Sequence, residues 1–514
     1  MGHVARFVFP SIADVLFLAL FWALLAGGLS SRPLADADIG WHIRTGQQIL
    51  DTKSIPHVDP FSSSMEGQEW YAWEWLYDLA VGVLDRAFGL NGVVWLCAVI
   101  IATTFACVFR TTIFRGTNLY IAMLLTLLAI SASTIHFFAR PHIVSWLFVW
   151  FFFLSLDRWE RGATRQTLYW LPALMVLWAN LHGGFVLGLA VVACFWLGTI
   201  VEAVSTSNIF GRLLARERAR LLGIVFVCSV AATFLNPYGY QLHVHIYRYL
   251  TNRFLMTHIN EFASPDFHGA AQKCFAALVL LSVVTLARSS GKLRISNILI
   301  LLMAVYAGLY ASRNLPVGSI LLVMVIGPPL SAAVNNVWQQ VSASHSSRRL
   351  FLTLSQARAF EGQLRGHLWP IVIVFATFII LAIGGKLGSR KFINAHFDAS
   401  KLPVEASNVI ASSKSRDPVF CPDSWGGLLI YQLSPVMKVV VDDRHDLYGE
   451  RVLRKYLEVV QVRPGWNQIL DEWKVRRVLM PAGSALDNIL RESSEWHITH
   501  EDRTAVLFER SVSK

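Results

Sequence analysis

The sequence predicts an α-helical polytopic membrane protein with a small α/β region at its C-terminal end. Three observations predict it. Of 514 residues, 54% are hydrophobic and only 15% charged, where a soluble domain carries about a quarter charged residues. Apolar runs of roughly 16 to 22 residues, near the length that spans a bilayer, recur from Val8 to Lys386. The short polar connections between them are alternately basic, the pattern that holds Lys and Arg loops on the cytoplasmic side. The net charge of +11 therefore reflects topology, and no nucleic-acid partner is expected.

Taken in order, Val8–Ser30 has the outline of a secretory signal, but its length and the spans that follow favour a retained helix. A first outer loop covers residues 31–89. Leu90–Phe109 returns to Arg110 and Arg115, and Leu119–Phe137 with Pro141–Leu156 makes a pair ending at Arg158, Arg161 and Arg165. Leu168–Glu202 is too long for one helix and breaks at the outer turn Asn180-Leu181-His182-Gly183-Gly184. Arg212, Arg216, Arg218 and Arg220 precede Leu221–Leu235, and Asn236-Pro237-Tyr238-Gly239 opens a second outer connection. Cys274–Ala287 returns to Arg288, Lys292 and Arg294. Ile295–Ala311 and Leu315–Ala333 form a hairpin with Arg313 at its tip, and Arg348, Arg349, Arg358 and Arg365 precede Trp369–Lys386.

About eleven crossings from a cytoplasmic N-terminus define a membrane domain, 1–388, and place an extracytoplasmic α/β domain at 389–514. Within the C-terminal domain, Val419–Cys421, Leu428–Leu433, Val439–Asp442, Arg477–Met480 and Ala505–Glu509 read as strands, with a turn at Trp425-Gly426-Gly427. Tyr448–Val462, Trp466–Trp473 and Ala485–Arg491 carry helical spacing. The six cysteines form no CxxC pair and read as packing residues.

The chemistry-bearing stretch is Ala35 to Trp41, just past the first crossing, where a carboxylate is cheap yet can still meet a lipid headgroup. Asp38 precedes Ile39, His42, Ile43, Gly46, Ile49 and Leu50, which share one helical face, so it fits an N-cap as well as a catalytic role. Asp36, two residues earlier, has no such capping role. The pair could hold Mg²⁺ or Mn²⁺, or one of them could accept a proton from an acceptor hydroxyl.

Further along, Trp73, Leu76, Tyr77, Ala80, Val81 and Leu84 form an apolar stripe of an interfacial helix, with Glu74, Asp78 and Asp85 elsewhere around it. Trp41, His42, Trp73 and Glu74 are candidates for a sugar or acceptor site, although aromatic anchoring and a solvated face for Glu74 also fit. Cations expected on the same face are Arg140, His142, His182, His243, His245, Arg248 and Arg313. Arg140 and Arg313, at the tips of short turns, suit phosphate through their bidentate fork, with His142 and His182 beside them. Snorkelling to headgroups is the alternative for either arginine. Asp442-Asp443-Arg444-His445-Asp446 follows a strand and reads as a surface turn of alternating charge. No nucleotide-binding glycine loop, GxSxG or HExxH occurs.

Asp36-Ala37-Asp38-Ile39-Gly40-Trp41-His42, Thr45-Gly46, Pro56, Asp59-Pro60-Phe61-Ser62 and Glu74-Trp75-Leu76 resemble a bacterial branch of the GT-C superfamily of integral-membrane glycosyltransferases. Trp178-Ala179-Asn180-Leu181-His182-Gly183-Gly184 and Arg313-Asn314-Leu315-Pro316 are similar to later motifs of that branch. The resemblance implies a catalytic base or metal ligand at Asp36 or Asp38, a polyprenyl-phosphate-linked sugar donor, and inversion at the anomeric carbon. It leaves open whether a divalent cation takes part.

The function expected is transfer of a sugar from such a donor to a lipid, glycan or protein acceptor on the extracytoplasmic face of a bacterial-type plasma (inner) membrane, the setting the resemblance implies. A flippase of lipid-linked saccharides should carry ionisable groups at mid-membrane depth, where most of these spans are apolar. A non-catalytic assembly protein presenting its C-terminal domain is the third reading.

Overall fold

Backbone at membrane depth has no water to bond and must satisfy itself, which favours helix throughout the apolar part of this chain. The computed structural model describes residues 4–288, 293–341 and 356–511. Lys292, Arg348 and Arg349 of the expected basic loops lie outside them. The apolar segments are helical at Ile12–Leu25, Leu90–Phe114, Leu119–Ser133, His142–Glu160, Gln166–Leu181, Phe185–Ser205, Ile209–Ala232, Ala270–Arg288, Ile295–Tyr310, Leu315–Val341 and Leu368–Ala382. Among the described residues six helices are long and apolar enough to cross a membrane, or seven if the bent pair Gln356–Gln363 and Leu368–Ala382 is one span. The chain is a multi-pass membrane protein.

Local chemistry sets the ends. Ser11 accepts the Asp14 N–H at 3.1 Å while the Asp14 carboxylate accepts the Ser11 N–H at 2.8 Å, a reciprocal cap that starts the first helix. The helix expected from Leu221 begins instead at Ile209, because the Arg-, Leu- and Ala-rich basic stretch is itself a strong helix former. Leu315–Val341 lies at the centre: every residue from Ile320 to Ile326 is buried, so this helix presents no outward face there.

Two shorter helices, Ile39–Thr52 and Trp75–Phe88, follow the first crossing and lie against each other through glycine. A β-carbon on Gly46 would fall on the Asp78 carbonyl, and one on Gly82 would come within 2.7 Å of the Gly46 backbone. The second helix is turned relative to the expected stripe: Tyr77, Asp78, Val81 and Gly82 are buried, while Ala80 is exposed. The close glycine contact selects this face, and it carries Asp78 inward.

In the C-terminal region four strands, β1 (Val419–Phe420), β2 (Arg477–Pro481), β3 (Trp496–Glu501) and β4 (Ala505–Arg510), form a sheet in the order β1–β2–β4–β3. β1 runs parallel to β2 and the other pairs are antiparallel. Val439 bridges to both Val419 and Ser62, so the first long connection joins the edge of this sheet. β3, an edge strand in which only Trp496 is buried, was not among the expected strands.

Leu428–Leu433, expected as a strand, belongs to a helix, Asp423–Leu433. Trp425, Leu428, Leu429 and Leu433 recur at helical spacing, and the glycines beside them serve close packing rather than a turn. A β-carbon on Gly40 would fall on the Gly427 carbonyl, and one on Gly427 would fall on the Ala37 carbonyl. The C-terminal region therefore rests backbone-on-backbone against the segment that carries Asp38.

Gly40→Val and Gly427→Val are each expected to destabilise the full chain by about 1–3 kcal/mol through overpacking. The midpoint of thermal unfolding in detergent should fall for both, and an unchanged midpoint would show that the contact yields.

Candidate functional site

The ends of several helices and the C-terminal region enclose one cavity of about 950 Å³. Asp36, Asp38, Trp41, His42, Trp73, Glu74, Arg140, His142, His182 and Arg313 line it, whereas His243, His245 and Arg248, expected on the same face, do not. Three short 3-10 turns deliver part of the wall: Thr134–His136, Asn260–Phe262 and Ser312–Asn314. They are tied together, since the Ser312 N–H donates to the Ala263 carbonyl at 3.0 Å and His136 Nε2 meets the Ser312 carbonyl at 3.3 Å.

Arg140 stands at the centre of a charged cluster. Its Nη1 lies 2.8 Å from Asp36 and 3.0 Å from Glu261, and its Nη2 lies 2.8 Å from Asp38. The guanidinium expected to hold phosphate, or to snorkel, is thus engaged by three carboxylates. Burial acts to raise Glu261, but the Arg140 and Arg313 guanidiniums overcome it and hold its carboxyl far below the usual range. Arg313 rests over the Phe262 ring at 4.5 Å, and no carboxylate among the described residues lies within ion-pair distance of it.

The capping reading of Asp38 does not hold. Its backbone is already helical and its side chain makes no cap hydrogen bond. It is 1% exposed, and its Oδ1 meets no donor among the described residues. Asp36 does have a local role, accepting the Asp38 N–H at 3.0 Å. Oxygens of Asp36, Asp38 and Asp443 lie within 4.8 Å of one another. Burial, reinforced by the neighbouring carboxylates, pushes Asp38 well above the usual carboxylate range, and Asp443 likewise rises through burial. Facing carboxyls of this kind share protons or a cation.

Glu74 is a wall residue rather than part of a solvated helix face, with 8% exposure. Its Oε2 lies 3.9 Å from His42 Nε2, and its Oε1 lies 3.5 Å from His182 Nε2. His42 Nδ1 is hydrogen-bonded to Asp78 at 2.6 Å, and Asp78 is fully buried. The Gly184 N–H donates to His182 Nδ1 at 3.0 Å, which leaves the His182 ring proton on Nε2, facing Glu74. Burial pushes Glu74 up to about 8 and His182 down to about 3. His142 sits nearby with Nε2 2.8 Å from the His136 carbonyl, a structural hydrogen bond.

Aromatic surface completes this side. Trp41 stacks on His42 with ring centroids 3.6 Å apart, and its buried Nε1 has no partner among the described residues. Trp73 lies close over Gly183, where a β-carbon would come within 3.1 Å of its ring.

The stretch read as a surface turn, Asp442 to Asp446, is instead an anchored part of the wall. Arg444 is buried, 2.8 Å from Asp59 and 2.7 Å from Asp442, with its guanidinium over the Trp70 and Phe61 rings. Burial opposes ionisation of Asp442, but Arg444 overcomes it and holds the carboxyl below the usual range. Asp59 is fixed in turn by accepting the Phe61 and Ser62 N–H groups at 3.1 and 3.0 Å. His445 bridges Asp423 at 2.9 Å and Asp443 at 3.1 Å, and Asp446 pairs with His245 at 2.9 Å. The sequence reading missed Asp443, Glu261 and Asp78 as members of the site. The one available signal was that Asp443 follows Val439–Asp442, expected as a strand and found as an isolated bridge at Val439 rather than a strand.

No protein-family model matches the sequence, and no curated protein matches it. Solved structures do. The apo oligosaccharyltransferase of Archaeoglobus fulgidus superposes with a TM-score of 0.53 at 11% identity, over 93% of this chain and 69% of that one. The archaeal oligosaccharyltransferase AglB, in complex with an inhibitory peptide and a dolichol-phosphate, gives 0.52 at 10% identity over 98% and 74%. ArnT from Cupriavidus metallidurans, bound to undecaprenyl phosphate, gives 0.53 at 13% identity over 97% and 98%. At these identities the likeness is one of fold.

Arg444→Met should leave Asp59 and Asp442 buried without their countercharge, at a cost of about 3–5 kcal/mol. The midpoint of thermal unfolding of the full chain in detergent should drop accordingly, and a midpoint near wild type would show that the two carboxyls protonate without penalty.

Proposed function

From the GT-C fold that the chain shares with these membrane glycosyltransferases, we propose that it transfers a sugar from a polyprenyl-phosphate-linked donor to a hydroxyl-bearing lipid, glycan or protein acceptor. The observation that carries this reading is the composition of this cavity. A guanidinium with no carboxylate partner among the described residues, a buried acidic cluster, aromatic faces and an apolar flank of Val186, Leu187, Ile246, Leu250, Met256 and Val317 line one space. A donor of this class has one part for each: phosphate for Arg313, sugar for Trp41 and Trp73, polyprenyl chain for the apolar flank.

Asp38 and Asp36 are the catalytic carboxylates. Transfer from a phosphate-linked sugar passes through positive charge at the anomeric carbon, and a negative centre fixed by Arg140 beside that carbon stabilises it. The acceptor oxygen attacks opposite the leaving phosphate, so configuration inverts. The all-oxygen set Asp36, Asp38 and Asp443 suits Mg²⁺ or Mn²⁺ in ligand type, and Asp38 Oδ1 is free to join it. Such an ion would supply further positive charge for the departing phosphate. The basic connections support an orientation with the N-terminus cytoplasmic and the cavity on the outer face of a plasma membrane, where cell-envelope glycans are built. The division at 388/389 into membrane and α/β domains belongs to the same reading.

Membranes containing the full chain, supplied with a panel of radiolabelled undecaprenyl-phosphate hexoses and pentoses, should consume one donor and label an acceptor fraction. Asp38→Asn should lower transfer about 10²–10³-fold while the protein stays folded, and Arg313→Ala should raise the KM for donor. Movement of donor across the bilayer with no transfer would replace this reading by a flippase. Treatment with EDTA followed by Mg²⁺ or Mn²⁺ tests the cation separately: loss and recovery of transfer place an ion at the carboxylates, and unchanged transfer leaves the charge balance to Arg140 and shared protons.

A further inference from the structure

Glycosyl transfer to a hydroxyl releases one proton, and the acidic pair of the first long connection is badly placed to receive it. Asp36 accepts Arg140 and the Asp38 N–H, and Asp38 faces Arg140 on one side and Asp443 on the other. A carboxylate held by a guanidinium is less available to a further proton donor, and a carboxyl pair that already shares a proton has only one free place for another.

Resting on the reading above, we propose that Glu74 is the general base, taking the acceptor's proton, with His42, Asp78 and His182 as the residues that position it. Glu74 lies on the cavity wall between two imidazoles. His182 presents an N–H, fixed by the Gly184 N–H on its other nitrogen, and this stabilises the ionised carboxylate. His42, oriented by Asp78, presents Nε2 across 3.9 Å, too far for a direct hydrogen bond and wide enough to admit a hydroxyl.

In the step, the acceptor O–H bond breaks as its oxygen bonds to the anomeric carbon. The bond from that carbon to the phosphate oxygen breaks, and its electron pair leaves with polyprenyl phosphate. The proton moves to Glu74 and from there to water in the cavity. The charged and titratable groups around Glu74 are His42 and His182 at its sides, Arg140 and Arg313 across the cavity, and Asp38 and Asp446. Desolvation outweighs the two arginines and places its titration near 8, close to working pH, where a proton acceptor is most effective.

A base must be ionised to act, so transfer by the wild-type chain should rise about tenfold per pH unit below the Glu74 titration and level off above it. Glu74→Gln should lose about 10²–10⁴-fold in kcat together with this rising limb. Glu74→Asp should restore part of the rate and retain a limb. Asp78→Asn should displace the limb without abolishing transfer. Thermal stabilisation of each variant by undecaprenyl phosphate, compared with wild type, separates loss of chemistry from loss of folding.

Difference infrared spectra of the detergent-solubilised chain between about pH 6 and pH 10 add a readout that needs no substrate. In wild type the protonated-carboxyl band should fall with rising pH, and Glu74→Gln should remove one component of that fall while those of Asp38 and Asp443 remain. A folded Glu74→Gln protein that keeps both the rate and the limb overturns the assignment, as does a band unchanged by that substitution. Either result with transfer still lost in Asp38→Asn leaves the glycosyltransferase reading standing. Absence of transfer from every donor in the panel, with the infrared band present and assigned to Glu74, fails that reading instead.

Discussion

The site is held together by one guanidinium. Arg140 joins carboxylates from two separate parts of the chain, Asp36 and Asp38 after the first crossing and Glu261 from a distant turn. In a partly water-excluded space each of these charges would be costly alone, and attraction among them grows as the dielectric falls. Whatever packs around the cavity must therefore keep Arg140 where it is. The Ser312 N–H bond to the Ala263 carbonyl and the contact of His136 Nε2 with the Ser312 carbonyl tie the neighbouring turns together around it.

That constraint divides labour between the two arginines. Arg140 is structural as well as electrostatic, because it is saturated by carboxylates. Arg313 rests on an aromatic face and keeps its hydrogen-bonding edge uncommitted to an acid. Two residues of one type, both at tips of short turns, thus differ in what remains for a ligand. Turn position alone could not separate them, since the difference arises from which distant acids fold against each.

The apolar runs and basic connections made the membrane fold legible, because hydrophobic length is a local property of the chain. So was part of the cavity wall, since alternate turns between crossings collect on one face, although Glu261 and Asp443 were not foreseen there. Burial of charge was not legible. Asp78 shares a helix with an apolar stripe and reads as solvated until Gly46 and Gly82 set the helix face. Glu74 reads the same way until His42 and His182 flank it. Asp443 sits in a run of alternating charge, and only the clamp of Asp59 and Asp442 on Arg444 turns that run inward. In each case the deciding partner is remote in sequence.

The Gly40–Gly427 contact has a bearing on biogenesis. Chains emerge from the ribosome N-terminal end first, so the segment bearing Asp38 is made early and its covering helix, Asp423–Leu433, near the end. Throughout most of synthesis the acidic pair faces open space. A chain cut short by a premature stop after the last crossing would insert normally and still carry a half-built pocket. Competence is thus deferred until the final stretch has docked.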